Sequence, residues 1–170
     1  GPAAHLLVLQ SEACAVALRE AGIDVVVLDR GNRIGGRMAS RRIRGSQLPY
    51  EGRVVDVGAS YFTAADPRFT LIVQDWIDRG LVKPWTDEFA VLDPGSEPVS
   101  KLGPLRYAAP MGLRSLVEDL AADLPNVLFP QEVSTIVRTS SGALIDDIDV
   151  DAAVMAMPDT QLRDLIIEDD

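Results

Sequence analysis

The stretch "HLLVLQSEACAVALREAGIDVVVLD", His5 to Asp29, decides the fold of this chain. It opens with a short, apolar, β-prone run, and from Ser11 onward alanines recur at the spacing of one helical face. Gly22 is placed to end that helix. The next run, Asp24 to Asp29, is β-branched and continuous, as in strands that are covered on both faces. Strand, helix and strand in this order predict a βαβ unit with a parallel sheet.

A loop rich in glycine and arginine follows the second predicted strand directly. In nucleotide-binding βαβ units an acid at the end of that strand accepts hydrogen bonds from ribose hydroxyls. Asp29 occupies this place. Gly35 and Gly36 would let the backbone approach a ligand closely, because glycine has no side chain, and Arg37 could bring charge to a diphosphate. The alternative is that the glycines only form a tight loop that Asp29 caps.

The composition limits the functions open to the chain. A formal net charge of −10 over 170 residues disfavours general nucleic-acid binding. The single cysteine, Cys14, and the single histidine, His5, leave little for a disulfide, a metal site or a catalytic triad. The apolar runs are too short for a membrane span, and no segment looks like a signal peptide. We therefore expect a cytoplasmic protein without a metal.

Arginines cluster within one part of this acidic chain. Six of them lie between Arg30 and Arg44, and no acid interrupts them. The patch suggests a small anionic ligand, with a solvated loop as the alternative.

The rest of the chain alternates between helix-like and strand-like segments. Asp66 followed by Pro67 predicts a helix start, and the region from Lys83 to Ala108 indicates a small antiparallel sheet of short strands. We expect Trp76 and Trp85 to lie in the core. Further expected elements are a strand over 53–57, a helix marked by Met111 to Leu124, strands over 127–129, 133–137 and 150–157, and a helix beginning at Pro158. The last residues, "IIEDD", are expected to form no strand, which suggests a truncated domain.

Four segments in register carry a resemblance to a known family. They are "VVVLDRGNRIGGRMASRR" (25–42), "VVDVGASYFTAADPRF" (54–69), "RYAAPMGLRSLVEDLA" (106–121) and "VDAAVMAMP" (150–158). In this order they resemble the flavoprotein amine-oxidase superfamily, and most closely its renalase-like branch of FAD-dependent oxidoreductases. The resemblance runs from Ala13 to about Leu165. It implies an α/β fold, in which a Rossmann-like FAD-binding βαβ domain carries a small antiparallel-sheet insertion from the substrate domain.

The resemblance also divides the chain into domains. Residues 1–63 and 111–165 would form a discontinuous FAD-binding domain, and residues 64–110 part of a substrate-binding domain. The remainder of the family's substrate domain and its C-terminal flavin-contacting segment have no counterpart in the sequence.

The cofactor implied by the resemblance is FAD, and family positions carry over to this chain. The acid matching Asp29 would hold the adenosine ribose, the residue matching Val133 would meet the adenine through its backbone, and the segment matching Ala156 to Pro158 would close over the cofactor. Positions 35–38 would line the cofactor near its diphosphate and flavin, and positions 58–60 would lie close to the isoalloxazine ring. The full implied set is Asp29, Arg30, Gly35, Gly36, Arg37, Met38, Gly58, Ala59, Ser60, Val133 and Pro158.

The chain departs from the family pattern at its first turn. The family has G-x-G-x-x-G between the first strand and helix, so that the diphosphate sits against the helix N-terminus. Here no glycine occurs between His5 and Gly22, and Gln10, Ser11 and Glu12 stand in that place. A carboxylate at Glu12 would repel a diphosphate. Either the chain has lost the loop, or residues between Leu9 and Ala13 are missing from the sequence.

The activity that the resemblance implies is hydride transfer from a small reduced substrate to the flavin, which carries the chemistry. A dihydronicotinamide nucleotide and an amine are both open as substrates, and no catalytic residue stands out. Tyr61, Phe62 or Tyr107 could form an aromatic wall over the flavin, with core packing as the alternative. The second hypothesis is a non-catalytic Rossmann-like fragment or interaction module that has lost cofactor binding. A homodimer is compatible with either hypothesis.

Overall fold

The computed structural model describes residues 5–9, 11–45, 47, 49–157, 159–163 and 165–169. The elements, in chain order, are β1 (His5–Leu9), α1 (Glu12–Glu20), β2 (Asp24–Leu28), β3 (Ser40–Arg42), β4 (Val54–Asp56), β5 (Phe62–Thr63), α2 (Pro67–Asp78), β6 (Lys83–Val91), β7 (Val99–Ala108), α3 (Arg114–Ala121), β8 (Val127–Leu128), β9 (Thr135–Arg138), β10 (Ala143–Ile145), β11 (Ile148–Val150), β12 (Ala152–Met155), α4 (Asp159–Leu162) and β13 (Ile166–Asp169), with a short 3-10 helix over Gly36–Met38.

The chain divides into two compact units. The first comprises residues 1–36 and 117–170, and the second comprises residues 37–116. The domain boundaries expected at 63/64 and 110/111 concern cofactor and substrate binding, so they stay a prediction.

A parallel sheet organises the first unit. Its strand order is β12-β1-β2-β8, and every neighbouring pair runs parallel. Ser11 caps α1, and the apolar face of the helix buries Ala15 with Val8 and Val27 of the sheet. The helix ends before Gly22, whose φ of +79° suits glycine. The βαβ unit predicted from the sequence is confirmed, and it brings the N-terminus of α1 to the edge where β1 and β2 end.

A second sheet, of order β11-β10-β9-β13, completes this unit. Its buried residues Ile136, Ile145 and Val150 form one core cluster with Leu28 of β2. A tight turn joins β10 and β11. At this turn Asp146 has a φ of +48°, and its Oδ1 accepts a hydrogen bond from the Thr135 backbone N–H at 2.9 Å.

The end of the chain corrects one sequence-based expectation. Residues Ile166–Asp169 do form a strand, β13, which pairs parallel with β9. The expectation that "IIEDD" forms no further strand is therefore wrong. The run alternates too little to indicate a strand by itself, and its partner β9 lies far away in the sequence, so that local pattern alone gave no signal.

The second unit contains a β3–β4 pair, a sheet of order β5-β7-β6 and helix α2. The Asp66 carboxylate caps α2 by accepting the Arg68 N–H at 2.8 Å, as the Asp–Pro start predicts. The region from Lys83 to Ala108 was expected to hold short strands, and this is wrong: β6 and β7 span 9 and 10 residues. β6 is an edge strand with register irregularities between Pro84 and Glu88. An edge strand with bulges tolerates proline, which the sequence pattern counts as a breaker.

The two tryptophans behave differently. Trp76 of α2 is 5% exposed and packs edge-on against Phe62 and Phe69, as expected for a core residue. Trp85 of β6 is 53% exposed, so its expected place in the core is wrong. It follows Pro84 on the irregular edge strand, where the inward and outward alternation of side chains is interrupted.

Candidate functional site

Asp29 is fixed at the carboxyl end of β2. Its backbone N–H donates to the Leu128 carbonyl at 3.0 Å, and its carbonyl accepts from the Gln131 N–H at 2.8 Å. The side chain is only 5% exposed, and its Oδ1 accepts the Gly31 N–H at 2.8 Å. These bonds hold one orientation of an acid at the position where ribose hydroxyls bind in such units.

The glycines after Asp29 do not all serve one purpose. A side chain at Gly31 would lie 2.9 Å from the Arg33 carbonyl oxygen and 3.1 Å from Asp29 Oδ1, so the turn packs too tightly for one. Gly35 and Gly36 have φ values of +109° and +44°. A side chain at Gly36 would meet no atom of the described chain within 4 Å. The loop therefore leaves open space at Gly36.

The segment matching the adenine contact lies next to Asp29. Gln131 donates to the Asp29 carbonyl, and Val133, which is 9% exposed, packs its side chain into the core with Leu28. With its side chain turned inward, only the backbone of Val133 is left for a ligand. Arg30 is exposed, and Pro158 lies outside the described residues.

Glu12 is a second buried acid in the same unit. It is 7% exposed at the start of α1, and its Oε1 has no hydrogen-bond partner in the described part of the chain. Burial raises the pKa of the Glu12 carboxyl above its ordinary value of 4.5, a hydrogen bond from its own backbone N–H opposes this, and the charge of Asp29 adds to the rise. The sequence shows the charge of Glu12 but not its burial, because a first-turn glutamate is usually solvated and stabilised by the helix dipole.

At the N-terminus of α1, side-chain oxygen atoms of Ser11 and Glu12 stand where a diphosphate would have to bind. Ser11 Oγ accepts the Cys14 N–H at 3.3 Å, and the buried Glu12 carboxyl belongs to the same turn. A diphosphate in this place needs free N–H groups and no nearby negative charge. The residues present thus fit the ribose end of an adenine dinucleotide, whereas the first turn of α1 does not fit its diphosphate.

The remaining implied cofactor residues lie in the second unit, where two segments meet. The Ala59 N–H donates to the Arg37 carbonyl at 2.8 Å, which joins positions 37–38 to positions 58–60. A side chain at Gly58 would clash with the same carbonyl. The glycine at position 58 is therefore required by contact within the chain, whatever it does toward a ligand. The Arg37 side chain is exposed.

The two tyrosines considered for an aromatic wall over the flavin lie on opposite faces of the β5-β7-β6 sheet. Tyr107 stacks on Phe62 with ring centroids 5.5 Å apart, toward Trp76 and Phe69. Tyr61, 43% exposed, lies near Trp85 and Phe89, with centroids 5.9 and 6.1 Å away. They cannot belong to the same aromatic wall, and Tyr61 is the one with an exposed ring.

Arg106 stands among the rings on the Tyr61 face, a feature that the sequence analysis missed. Its guanidinium carbon lies 4.2 Å from the Phe89 centroid and 5.6 Å from the Tyr61 centroid. Its Nε is buried and finds no hydrogen-bond partner among the residues described. The sequence offered one signal for this position. Arg106 precedes Tyr107 in β7, and because neighbours in a strand point to opposite faces, Arg106 is expected on the face opposite Tyr107.

Arg33 of the arginine-rich loop forms an ion pair with an acid of α3. Arg33 Nη2 contacts Glu118 Oε1 at 2.7 Å, with both side chains well exposed. Glu118 also lines an open groove of about 290 Å³, whose other lining residues are Ile34, Ala121, Ala122, Leu124, Pro125, Val127 and Phe129. None of the implied cofactor residues lines this groove.

Neither a metal centre nor a membrane helix was found in the described ranges. No three His, Cys, Asp or Glu side chains there are grouped to hold a metal ion. No helix there has the length and apolar character to cross a membrane.

Comparisons with known proteins place these features in context. Residues 11–76 match the family model of the NAD(P)-binding Rossmann-like domain. A putrescine oxidase with putrescine bound aligns over 97% of this chain and 60% of its own, at 14% identity and a TM-score of 0.71. Cyclohexylamine oxidase from Brevibacterium oxydans aligns over 98% and 60%, at 13% identity and a TM-score of 0.71. A fatty acid isomerase from P. acnes aligns over 97% and 61%, at 14% identity and a TM-score of 0.70.

At these identities the likeness establishes the fold, and the chain spans about 60% of the length of the structures it matches. The α/β fold with a Rossmann-like unit and a small antiparallel sheet, predicted from the sequence, is confirmed. Residues 11–76 thus match an NAD(P)-binding Rossmann-like domain, and the fold is similar to that of putrescine oxidase and cyclohexylamine oxidase.

Proposed function

We propose that this protein is an FAD-dependent oxidoreductase of the renalase-like type, in which Asp29 binds the adenosine ribose. The observation that carries the proposal is the buried carboxylate at the end of β2, oriented by the Gly31 N–H at 2.8 Å. The fold supports it, because proteins with this fold include putrescine oxidase and cyclohexylamine oxidase. When bound, FAD would accept a hydride from the substrate.

The protein's own residues would have separate tasks. Asp29 would accept hydrogen bonds from the ribose, and the Val133 backbone would meet the adenine. Within the second unit, the segments at Arg37 and Gly58–Ser60 are joined, and the exposed guanidinium of Arg37 supplies positive charge there.

FAD titration tests the proposal. We expect the chain to bind FAD and to show the absorbance of an oxidised flavin at about 450 nm, a property of the cofactor itself. Asp29→Asn removes the charge with little change of shape and should weaken FAD binding by about tenfold. Asp149→Asn, an exposed acid of the same unit, is the matched control and should have no effect. If no variant binds FAD, the non-catalytic module is the better account.

Of the two substrate classes, we propose the dihydronicotinamide nucleotides over amines. The aromatic face at Tyr61 would attract an ammonium ion by cation–π interaction, but the Arg106 guanidinium already occupies this place, 4.2 Å from the Phe89 centroid. Its charge repels an amine substrate and attracts a phosphate.

Steady-state kinetics of the FAD-loaded protein tests the substrate class. Arg106→Met should raise KM for a dihydronicotinamide mononucleotide by about tenfold. Lys101→Met removes an exposed charge from the same strand and should leave KM unchanged. Efficient turnover of a primary amine, insensitive to Arg106→Met, would contradict this choice.

A further inference from the structure

The first turn of α1 differs from a phosphate-binding turn in the kind of group it presents. Glu12 lies there with 7% of its surface exposed, and its Oε1 is buried without a hydrogen-bond partner among the described residues. An unpaired buried carboxyl oxygen has lost its water without a compensating bond, which is unfavourable. Such an atom indicates a site that is completed by a hydrogen-bond donor.

The second acid of the site is also an acceptor, and its Oδ1 takes the Gly31 N–H at 2.8 Å. Asp29 is 5% exposed and lies close enough to Glu12 for its charge to act on that carboxyl. Carboxylates accept hydrogen bonds and, when ionised, donate none. Hydroxyl groups of a ribose are donors that suit two such acceptors, whereas a diphosphate brings only acceptors and negative charge.

We infer that Glu12 excludes a diphosphate from the N-terminus of α1, and that the site beside Asp29 binds an uncharged ribonucleoside as tightly as the corresponding diphosphate. The inference rests on the proposed function in placing an adenine nucleotide at this edge of the sheet. It adds that phosphates contribute no affinity in the native protein, so that a bound dinucleotide would be held from its adenosine end.

The helix dipole does not offset this exclusion. A helix N-terminus attracts anions through its unpaired N–H groups. In α1, Ser11 Oγ accepts the Cys14 N–H at 3.3 Å, so this donor is used. A buried negative charge at short range outweighs the remaining dipole, because charges interact more strongly away from water.

Calorimetric titration with adenosine, ADP and inorganic pyrophosphate, all without magnesium, tests the inference. The native chain should bind ADP no more tightly than adenosine. In Glu12→Gln, which keeps the shape of the side chain but not its charge, ADP affinity should rise about tenfold while adenosine affinity changes by less than about twofold. Pyrophosphate should bind this variant more tightly than the native chain.

Two further variants keep the test decisive. Glu20→Gln removes an exposed charge from the other end of α1 and should leave all three affinities unchanged. If Glu12→Gln does not fold, Glu12→Ala replaces it, because alanine is a good helix former. This variant should also bind ADP and pyrophosphate more tightly than the native chain. The inference is overturned if removing the Glu12 charge brings no gain for ADP or pyrophosphate, or an equal gain for adenosine. If adenosine and FAD bind no variant, the proposed function fails, while a gain in pyrophosphate affinity would still support the role of Glu12.

Discussion

Glu12 and Asp29 bury two carboxyl groups at the same edge of the parallel sheet, with exposures of 7% and 5%. One is oriented by the Gly31 N–H, and the other has an oxygen without a partner in the described structure. Two buried acids at one edge of a sheet are costly for the fold alone. The arrangement is accounted for if the site serves a ligand that donates hydrogen bonds to both.

The first prediction concerns pH and stability. Burial, and to a lesser degree the charge of Asp29, raises the pKa of Glu12 in the folded state above 4.5. A raised pKa means that the folded state binds the proton more tightly than the unfolded chain. The contribution of Glu12 to stability is thus fully present below the unfolded pKa and is lost as pH rises through the folded pKa.

Glu12→Gln should remove this part of the pH dependence. At about pH 8 we expect its free energy of unfolding to exceed that of the native chain by about 1–3 kcal/mol, because a buried, unpaired charge is gone. Urea denaturation of both proteins from about pH 4 to about pH 8 measures the difference. If the difference in free energy of unfolding between the two proteins stays constant over this range, Glu12 does not titrate with a raised pKa.

The second prediction concerns Gly58. A side chain there would clash with the Arg37 carbonyl, which accepts the Ala59 N–H. Gly58→Ala should therefore lower the free energy of unfolding by at least about 2 kcal/mol. Gly95→Ala is the control: its side chain would meet open space at a φ of +81°, and only the backbone conformation costs about 1 kcal/mol. Equal effects of the two variants would mean that the two segments do not meet.

The third prediction separates the tryptophans. Trp76→Ala should cost about 3–5 kcal/mol, because it empties a buried aromatic cluster. Trp85→Ala should cost less than about 1 kcal/mol, because more than half of that side chain is exposed. Acrylamide should quench the fluorescence of the Trp76→Phe variant, which retains Trp85, more strongly than that of Trp85→Phe. The reverse order would contradict the outward position of Trp85.

The fourth prediction concerns the turn between β10 and β11. Asp146 Oδ1 accepts the Thr135 N–H at 2.9 Å from a backbone φ of +48°. Asp146→Ala loses that bond and keeps an unfavourable backbone conformation, so we expect a loss of about 1–3 kcal/mol. Asp147→Ala, at the exposed neighbouring position, should change stability by less than about 0.5 kcal/mol. Thermal unfolding of both variants compares them, and similar melting temperatures would argue against an anchoring role for Asp146.

The sequence predicted the elements whose signals are local. The βαβ unit follows from the spacing of alanines and the β-branched run, and the start of α2 follows from Asp66 and Pro67. The strand β13 could not be predicted in this way, because its partner β9 is distant in the chain. The length of β6 was hidden by Pro84, which an edge strand with bulges accommodates.

The candidate site was predictable only in part. Asp29 could be placed at the end of β2 because that position follows from the βαβ pattern alone. The burial of Glu12 could not be predicted, since the sequence gives its charge and helix position but not what packs over it. The Arg106 cluster depends on cross-strand neighbours in β6 and β7, and these are set by irregular register rather than by local pattern.

The most direct test of the central claim, that the Asp29 carboxylate marks an adenine nucleotide site, is an amide NMR titration of the labelled chain with FAD. The Gly31 and Gln131 N–H groups bond to Asp29 itself, through its side chain and its carbonyl. We expect these two signals to shift and saturate with FAD, while the signal of Gly95, in the other unit, stays in place. Unchanged Gly31 and Gln131 signals at saturating FAD would contradict the claim.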